Sequence, residues 1–162
     1  MMQAFSGVTI DMALTDDIML LGQVPLFAGF SDDQLRLIAF GAERRRVSAG
    51  QTLFREHSPA ECAFAVTSGH FELFTAGRDG KPVLQATPGK GALLSELALF
   101  TLCERKFTAV AAEDSEVIRI TRILFHRLVE EFPEVADIVS ARIRDNIASL
   151  AAGAARLQNR FV

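Results

Sequence analysis

Hydrophobic and polar positions divide the chain into helical ends and a strand-rich middle. The run Thr15-Asp16-Asp17 predicts the start of a short helix that reaches about Gly22, because acidic residues favour the first turn of a helix. Ser31 is predicted to cap a second helix that ends at Gly41. This second helix carries an apolar stripe along one face, formed by Leu35, Ile38 and Ala39.

The middle of the chain, from Val47 to Ile120, changes to a period of two. Short runs alternate apolar with polar positions and are separated by turn residues, and the run Gly77-Arg78-Asp79-Gly80 predicts a hairpin tip. Many short strands at this spacing are typical of an antiparallel barrel. We expect a mainly β fold with flanking helices, namely an antiparallel jelly-roll (double-stranded β-helix) barrel with N-terminal helices and a long C-terminal helix.

The C-terminal part is predicted to be helical again. One helix spans Ile123 to Glu131, and Pro133 then lies in the first turn of a long final helix. The final helix carries a heptad stripe, which packs either on the chain's own barrel or on a partner chain. Because the end of the stripe has little barrel left to cover, we expect a homodimer through this helix. The stripe consists of Ala136, Ser140, Ile143, Ile147, Leu150, Ala154, Leu157 and Phe161.

These patterns predict three regions. Residues 1–14 form a loosely ordered N-terminus, residues 15–132 a domain of helices and a β-barrel, and residues 133–162 a helix that acts as a lid or in dimerisation. A chain of 162 residues with 49% hydrophobic and 23% charged residues is ordinary for a globular protein, which excludes wholesale disorder and a fibrous repeat.

Charge and apolar run length restrict the surroundings of the protein. Seventeen basic residues against 20 acidic ones give a net charge of −3, which argues against coating nucleic-acid backbones. No apolar run approaches the length of a membrane span, and no positive segment precedes Arg36, so we expect a cytoplasmic protein without membrane contact. Cys62 and Cys103 form no metal-binding motif, and free thiols are favoured over one disulfide.

Residues 91–111, GALLSELALFTLCERKFTAVA, resemble the phosphate-binding cassette of cyclic nucleotide-binding domains. Such domains occur in catabolite-activator-type bacterial regulators, in kinase regulatory subunits and in some ion channels. The segment Glu96–Leu99 matches the family's Glu-x-Ala-Leu motif, and Arg105 and Thr108 match the residues that follow it. Other segments fit in the same order, so that the resemblance covers about residues 20–150; they are residues 24–31, residues 49–56 and Ser68-Gly69. We call residues 91–111 the cassette.

The resemblance implies a site for a cyclic nucleotide, with cyclic AMP expected. Unpaired N–H groups at the start of a turn over residues 95–99 favour an anion, and Arg105 offers a planar fork of donors for a phosphate. Glu96 is placed to accept a hydrogen bond from the ribose 2′-OH, unless it simply pairs with Arg105 as a surface salt bridge. Apolar walls are expected from Leu73, Val83 or Leu93. The candidate ligand-binding residues are Ser95, Glu96, Leu97, Ala98, Arg105, Lys106 and Thr108.

Three positions depart from the family pattern. Ser95 replaces a glycine that permits positive φ, and its side chain is expected either to cap the turn or to crowd the phosphate. Lys106 replaces a small or hydroxyl residue, which weakens the case for cyclic GMP; it adds a second cation or points to solvent. Leu150-Ala151 stands where catabolite activators carry a Thr-Ser pair that contacts the adenine amino group.

The resulting expectation is a stand-alone cyclic AMP sensor that is not an enzyme and needs no cofactor or metal. The sequence stops at Val162 without a helix-turn-helix module, so direct nucleic-acid binding is not expected, whereas a regulatory protein partner is. The alternative is a degenerate domain that acts as a dimeric protein-interaction module and binds no nucleotide. A cupin-like metalloenzyme would need several clustered histidines, and the three histidines have no such spacing.

Overall fold

The computed structural model describes residues 14–145, which begin with a layer of helices. Helix α1 spans residues 14–23, a short 3-10 helix follows over Pro25–Phe27, and helix α2 spans Asp32–Gly41. The side chain of Ser31 accepts a hydrogen bond from the backbone of Gln34, and the Gln34 side chain accepts one from the backbone of Ser31. This capping box confirms the predicted start of the second helix.

Strands make up the middle of the described chain. They are β1 Glu43–Val47, β2 Thr52–Phe54, β3 Pro59–Ala60, β4 Cys62–Ser68, β5 Phe71–Ala76, β6 Pro82–Ala86, β7 Leu93–Leu94, β8 Cys103–Glu104, β9 Thr108–Ala111 and β10 Ser115–Thr121. A second 3-10 helix, Glu96–Leu99, lies between β7 and β8.

All strand neighbours pair antiparallel. The first sheet has the order β1-β10-β4-β7, the second has the order β2-β9-β5-β6, and β3 pairs with β8 as a separate ribbon. The predicted hairpin tip after Ala76 joins β5 to β6. The expectation of a mainly β, antiparallel fold with flanking helices is therefore confirmed.

Strand β4 is buried on both faces, because two core clusters meet along it. Phe64 and Val66 belong to a cluster with apolar residues of both sheets, whereas Ala63 and Ala65 belong to a cluster under the helical layer. The small alanines let α2 and the other helices approach the first sheet closely, and the large residues fill the space between the sheets.

Two helices complete the described chain. Helix α3 spans Arg122–Glu131, and helix α4 runs from residue 133 to residue 145, the last one described. The break between them at Phe132 agrees with the prediction. In α4 the buried positions are Val135 and Val139, each one residue before a member of the heptad stripe.

The stripe is only partly within the described chain. Ala136 and Ile143 are half-buried and Ser140 is exposed; its remaining members lie outside residues 14–145, as do residues 1–13 of the predicted N-terminal region. Val135 and Val139 attach α4 to the core cluster, and Ile138 and Ile143 pack against the same cluster.

One arginine fastens the first helix to the sheet beneath it. The Arg44 guanidinium on edge strand β1 donates to Asp17 of α1 and, at 2.8 Å, to Glu116 of β10.

Within residues 14–145 no helix combines the length and apolar character needed to cross a membrane. Both cysteines are free thiols.

Candidate functional site

The cassette turns sharply where β7 ends. Leu93 and Leu94 pair with β4, and Ser95 then takes a left-handed conformation with φ 62° and ψ 45°. Glycine adopts this region freely, whereas other residues enter it at a cost in free energy. The Ser95 side chain makes no capping hydrogen bond, so the expectation that it caps the turn is wrong.

The 3-10 helix Glu96–Leu99 is anchored on one side only. Ala98 and Leu99 are fully buried, and Leu99 joins the core cluster under the helical layer. Leu97 points outward and is 39% exposed, which leaves an apolar side chain beside the turn. The fold thus fixes the backbone of this turn through its inner face.

Glu96 is half-buried, and burial raises the pKa of its carboxyl group above the ordinary value of 4.5. The positive charge of Lys106 acts in the opposite direction and lowers the pKa of Glu96. Lys106 itself is exposed. The start of the 3-10 helix therefore lies within electrostatic reach of the segment that carries Arg105, although no ion pair joins Glu96 to Arg105. The alternative of a simple salt bridge between those two residues is wrong.

Arg105 is a buried cation, with only 6% of its surface exposed. Its Nη1 donates to the carbonyl oxygen of Cys62 at 2.6 Å, and its Nη2 donates to the Cys62 Sγ at 3.3 Å. The guanidinium also lies over two aromatic rings, 4.7 Å from the centroid of Phe54 and 5.4 Å from that of Phe64. All the groups that contact the guanidinium are electrically neutral.

No acidic residue within the described range lies within the 4.0 Å ion-pair distance of Arg105. Buried arginines are nearly always paired with an anion, because removing a charge from water costs several kcal/mol. A cation–π contact with a phenyl ring contributes about 2 kcal/mol or more in a desolvated site, which offsets only part of this cost. The arrangement is therefore suited to a negatively charged group supplied from outside the chain.

The backbone around Arg105 is fixed by the loop after β2. The Arg105 N–H donates to the Ser58 carbonyl at 2.8 Å, and the Arg105 carbonyl accepts from the N–H of His57 at 2.8 Å. The hydroxyl of Thr108 accepts from the N–H of Glu56 at 3.0 Å, which leaves its hydrogen free to donate. These hydrogen bonds fix the backbone of residues 105–108, which include the candidate residues Arg105, Lys106 and Thr108.

The three residues expected as apolar walls occupy different environments. Leu73 is buried in the core cluster between the sheets, and Leu93 is half-buried on β7. Val83 lies on β6 at the edge of the second sheet and is 46% exposed.

Sequence reasoning missed the residues that hold Arg105. Cys62 and Phe64 occupy alternate positions on β4 and Phe54 ends β2, so all three looked like ordinary core positions. The available signal was the period of two, which places Cys62 and Phe64 on one face of the strand. Among residues 14–145, no group of three or more histidine, cysteine or acidic side chains is arranged to hold a metal ion.

Comparison with protein families gives one match over more than half of the chain. The model of the cyclic nucleotide-binding domain matches residues 44–132, which contain the cassette and Arg105.

Two curated proteins are similar to part of this chain. The chain is 30% identical over 117 residues to the Cyclic AMP receptor protein of Thermus thermophilus, an alignment that covers 72% of this chain and 54% of the relative. It is 32% identical over 111 residues to Lysophospholipase NTE1 of Chaetomium globosum, covering 66% of this chain and 7% of that enzyme. The chain thus spans about half of one relative and a small part of the other.

One solved structure is matched along nearly its whole length. The cyclic nucleotide-binding-like protein of Brucella abortus is 47% identical, with a TM-score of 0.65, and the match covers 71% of this chain and 98% of that one.

Proposed function

Because the chain belongs to the cyclic nucleotide-binding domain family, we propose that it is a regulatory domain that binds a cyclic nucleotide, with cyclic AMP as the preferred ligand. The observation that carries the proposal is the buried Arg105 guanidinium, which has only neutral partners among the described residues. The ring phosphate of a cyclic nucleotide carries one negative charge and two free oxygens, which suit a planar fork of donors.

The other candidate residues surround the same position in this proposal. Glu96 accepts a hydrogen bond from the ribose 2′-OH, and the backbone of Leu97 and Ala98 faces the phosphate. Lys106 supplies a second positive charge, and the free hydrogen of Thr108 reaches the ligand. The preference for cyclic AMP over cyclic GMP rests on Lys106, which offers no hydroxyl to a guanine amino group. It is also supported by the name of the Thermus thermophilus relative.

The two sheets are proposed to close around the ligand as a jelly roll. The chain passes repeatedly between the two sheets, since β1, β4 and β7 lie in the first sheet and β2, β5 and β9 in the second. The role of the domain is regulatory rather than catalytic, because ligand binding changes what the flanking helices contact.

We also propose that the chain forms a homodimer through the helix that begins at residue 133. The described members of its heptad stripe support this, because Ser140 is exposed and Ala136 and Ile143 are only half-buried. They border an apolar groove of about 410 Å³ between α3 and α4. A partner helix packed along the stripe would remove these apolar surfaces from water.

Isothermal titration calorimetry with cyclic AMP and cyclic GMP tests the ligand proposal. We expect cyclic AMP to bind more tightly, and Arg105→Ala to cost about 2–5 kcal/mol of binding free energy, as truncation of a buried charge partner does. Arg105→Lys keeps the charge but loses the fork, so its loss should be smaller.

The matched control is Arg127→Ala, which removes an exposed arginine of α3 and should leave the affinity unchanged. Equal affinity for Arg105→Ala and the wild type contradicts the site. Absence of both a heat signal and a rise in melting temperature with either nucleotide at millimolar concentration would favour the alternative, an interaction module that binds no nucleotide.

A further inference from the structure

Two arginines hold three consecutive carbonyl oxygens of residues 60–62. Nη2 of Arg122 donates to the Ala60 oxygen at 2.7 Å, and the backbone N–H of Arg122 donates to the Glu61 oxygen at 3.0 Å. Nη1 of Arg105 donates to the next oxygen, that of Cys62, at 2.6 Å. Arg105 and Arg122 therefore share one short stretch of backbone.

The same Arg122 guanidinium also reaches the cassette through its Nε. Its Nε donates to the Ala98 carbonyl oxygen at 2.9 Å, near the end of the 3-10 helix Glu96–Leu99. Carbonyl groups at the end of a helix lack partners within the helix and carry partial negative charge, so a cation stabilises them. Arg122 thus joins the cassette helix to the segment that holds Arg105.

Regular structure on both sides keeps this bridge in place. Thr121, the residue before Arg122, pairs with Cys62 between β10 and β4, and its hydroxyl caps α3 by accepting from the Leu124 N–H. Ala60 pairs with Cys103, two residues before Arg105. Because the half-buried guanidinium of Arg122 donates to two carbonyl groups whose positions are fixed, it acts as a rigid bridge between them rather than as a mobile surface charge.

We propose that Arg122 is a positioning residue for the ligand site. By bridging the 60–62 segment to Ala98, it sets the position of the Arg105 guanidinium relative to the cassette helix, and it connects that geometry to the first residue of α3. The inference rests on the proposed function, because it takes Arg105 and the cassette helix to bind one ligand. Arg122 itself does not touch that ligand.

The test is cyclic AMP binding by Arg122→Gln, measured by calorimetry at a temperature where every variant is folded. We expect a loss of affinity on the order of tenfold, as for other residues coupled through shared contacts. Arg122→Lys, which keeps the charge but not the planar fork, should lose less. The matched control is Arg44→Gln, which also removes two hydrogen bonds that hold a helix to strands but has no contact with the cassette; its affinity should equal that of the wild type.

A double-mutant cycle separates positioning from general stability. If Arg122 acts through Arg105, Arg122→Gln should lower affinity much less in the Arg105→Ala background than in the wild type. Equal fold-losses in both backgrounds, or an unchanged affinity of Arg122→Gln, overturn the inference.

A measurement without ligand distinguishes this failure from failure of the proposed function. Hydrogen exchange of the free protein should become faster over residues 95–101 in Arg122→Gln and stay unchanged there in Arg44→Gln. Unchanged exchange in Arg122→Gln overturns the bridging role of Arg122. Absence of cyclic AMP binding by the wild type overturns the proposed function instead. The exchange result then tests the bridging role of Arg122 on its own.

Discussion

Ser95 keeps its backbone in the left-handed region without a side-chain hydrogen bond to compensate for the strain. The family pattern that the cassette resembles has glycine at this position, and the left-handed conformation is one that glycine adopts freely. Whether the serine hydroxyl would cap the turn was not predictable, since capping depends on a rotation of the side chain relative to a turn whose geometry the core fixes.

We expect Ser95→Gly to stabilise the free protein by about 0.5–1 kcal/mol, because glycine meets no Cβ penalty at positive φ. Thermal or urea unfolding measures the change, which corresponds to a few degrees in melting temperature. Gly50→Ala is the control in the opposite direction: Gly50 has φ +82° and an added Cβ would meet open space, so the substitution should destabilise through the backbone alone. A Ser95→Gly variant less stable than the wild type contradicts the assignment of strain.

Glu96 has a pKa raised by burial, and this has consequences for both stability and binding. Its folded-state pKa exceeds the unfolded value near 4.5, so the folded state holds the proton more tightly. The contribution of Glu96 to stability is therefore fully present below that pH and is lost as pH rises through the folded-state pKa. In the proposed binding mode, affinity has the opposite trend, because an ionised carboxylate accepts a hydrogen bond from the ribose hydroxyl more strongly than a protonated one.

Affinity for cyclic AMP should accordingly fall on acidification through the raised pKa of Glu96. Lys106→Gln removes the charge that lowers this pKa, so the fall should begin at a higher pH. Calorimetric titrations across a pH series measure the shift, with Lys81→Gln at the exposed hairpin as the control. Superimposable pH profiles for Lys106→Gln and the wild type contradict the coupling of Lys106 to Glu96, and a wild-type affinity that does not change with pH contradicts the role of Glu96 in binding.

Elements were predictable where the determining contacts are local. The Ser31 cap, the hairpin before β6 and the break before Pro133 each depend on a few neighbouring residues, and each was identified correctly. The face of α4 that packs on the core was harder to predict from the sequence. Positions 135 and 139 form a stripe next to that of positions 136 and 140, and a heptad pattern cannot tell which stripe meets the chain's own core.

The heptad stripe of α4 gives a prediction about assembly. Ser140→Arg places a charge on an exposed stripe position, so it should disrupt a homodimer without disturbing the core. Light scattering coupled to size-exclusion chromatography measures the mass, and Asp145→Arg, on the opposite face of the helix, is the control. A wild-type monomer, or a Ser140→Arg dimer as stable as the wild type, contradicts the proposed interface.

At the scale of the whole molecule, contacts distant in sequence determine the site. β1 pairs with β10, and the guanidinium of Arg105 meets Cys62 and Phe54 from other strands. Alternation within each strand predicts which side chains face inward, but it does not specify which strands are neighbours. The order of segments shared with the family supplied the fold class, whereas the neutral surroundings of Arg105 emerged only from the assembled strands.

The helical layer also determines where the boundaries of a recombinant fragment of this domain can lie. The family match begins at Arg44, yet α1, the 3-10 helix Pro25–Phe27 and α2 supply Leu21, Phe27 and Ile38, respectively, to the core that covers Ala63 and Ala65 of the first sheet. A recombinant fragment limited to residues 44–132 would leave this hydrophobic surface bare and deprive Arg44 of Asp17. Such a fragment is expected to aggregate, so biosensors or fusion proteins based on this domain need to begin upstream of α1.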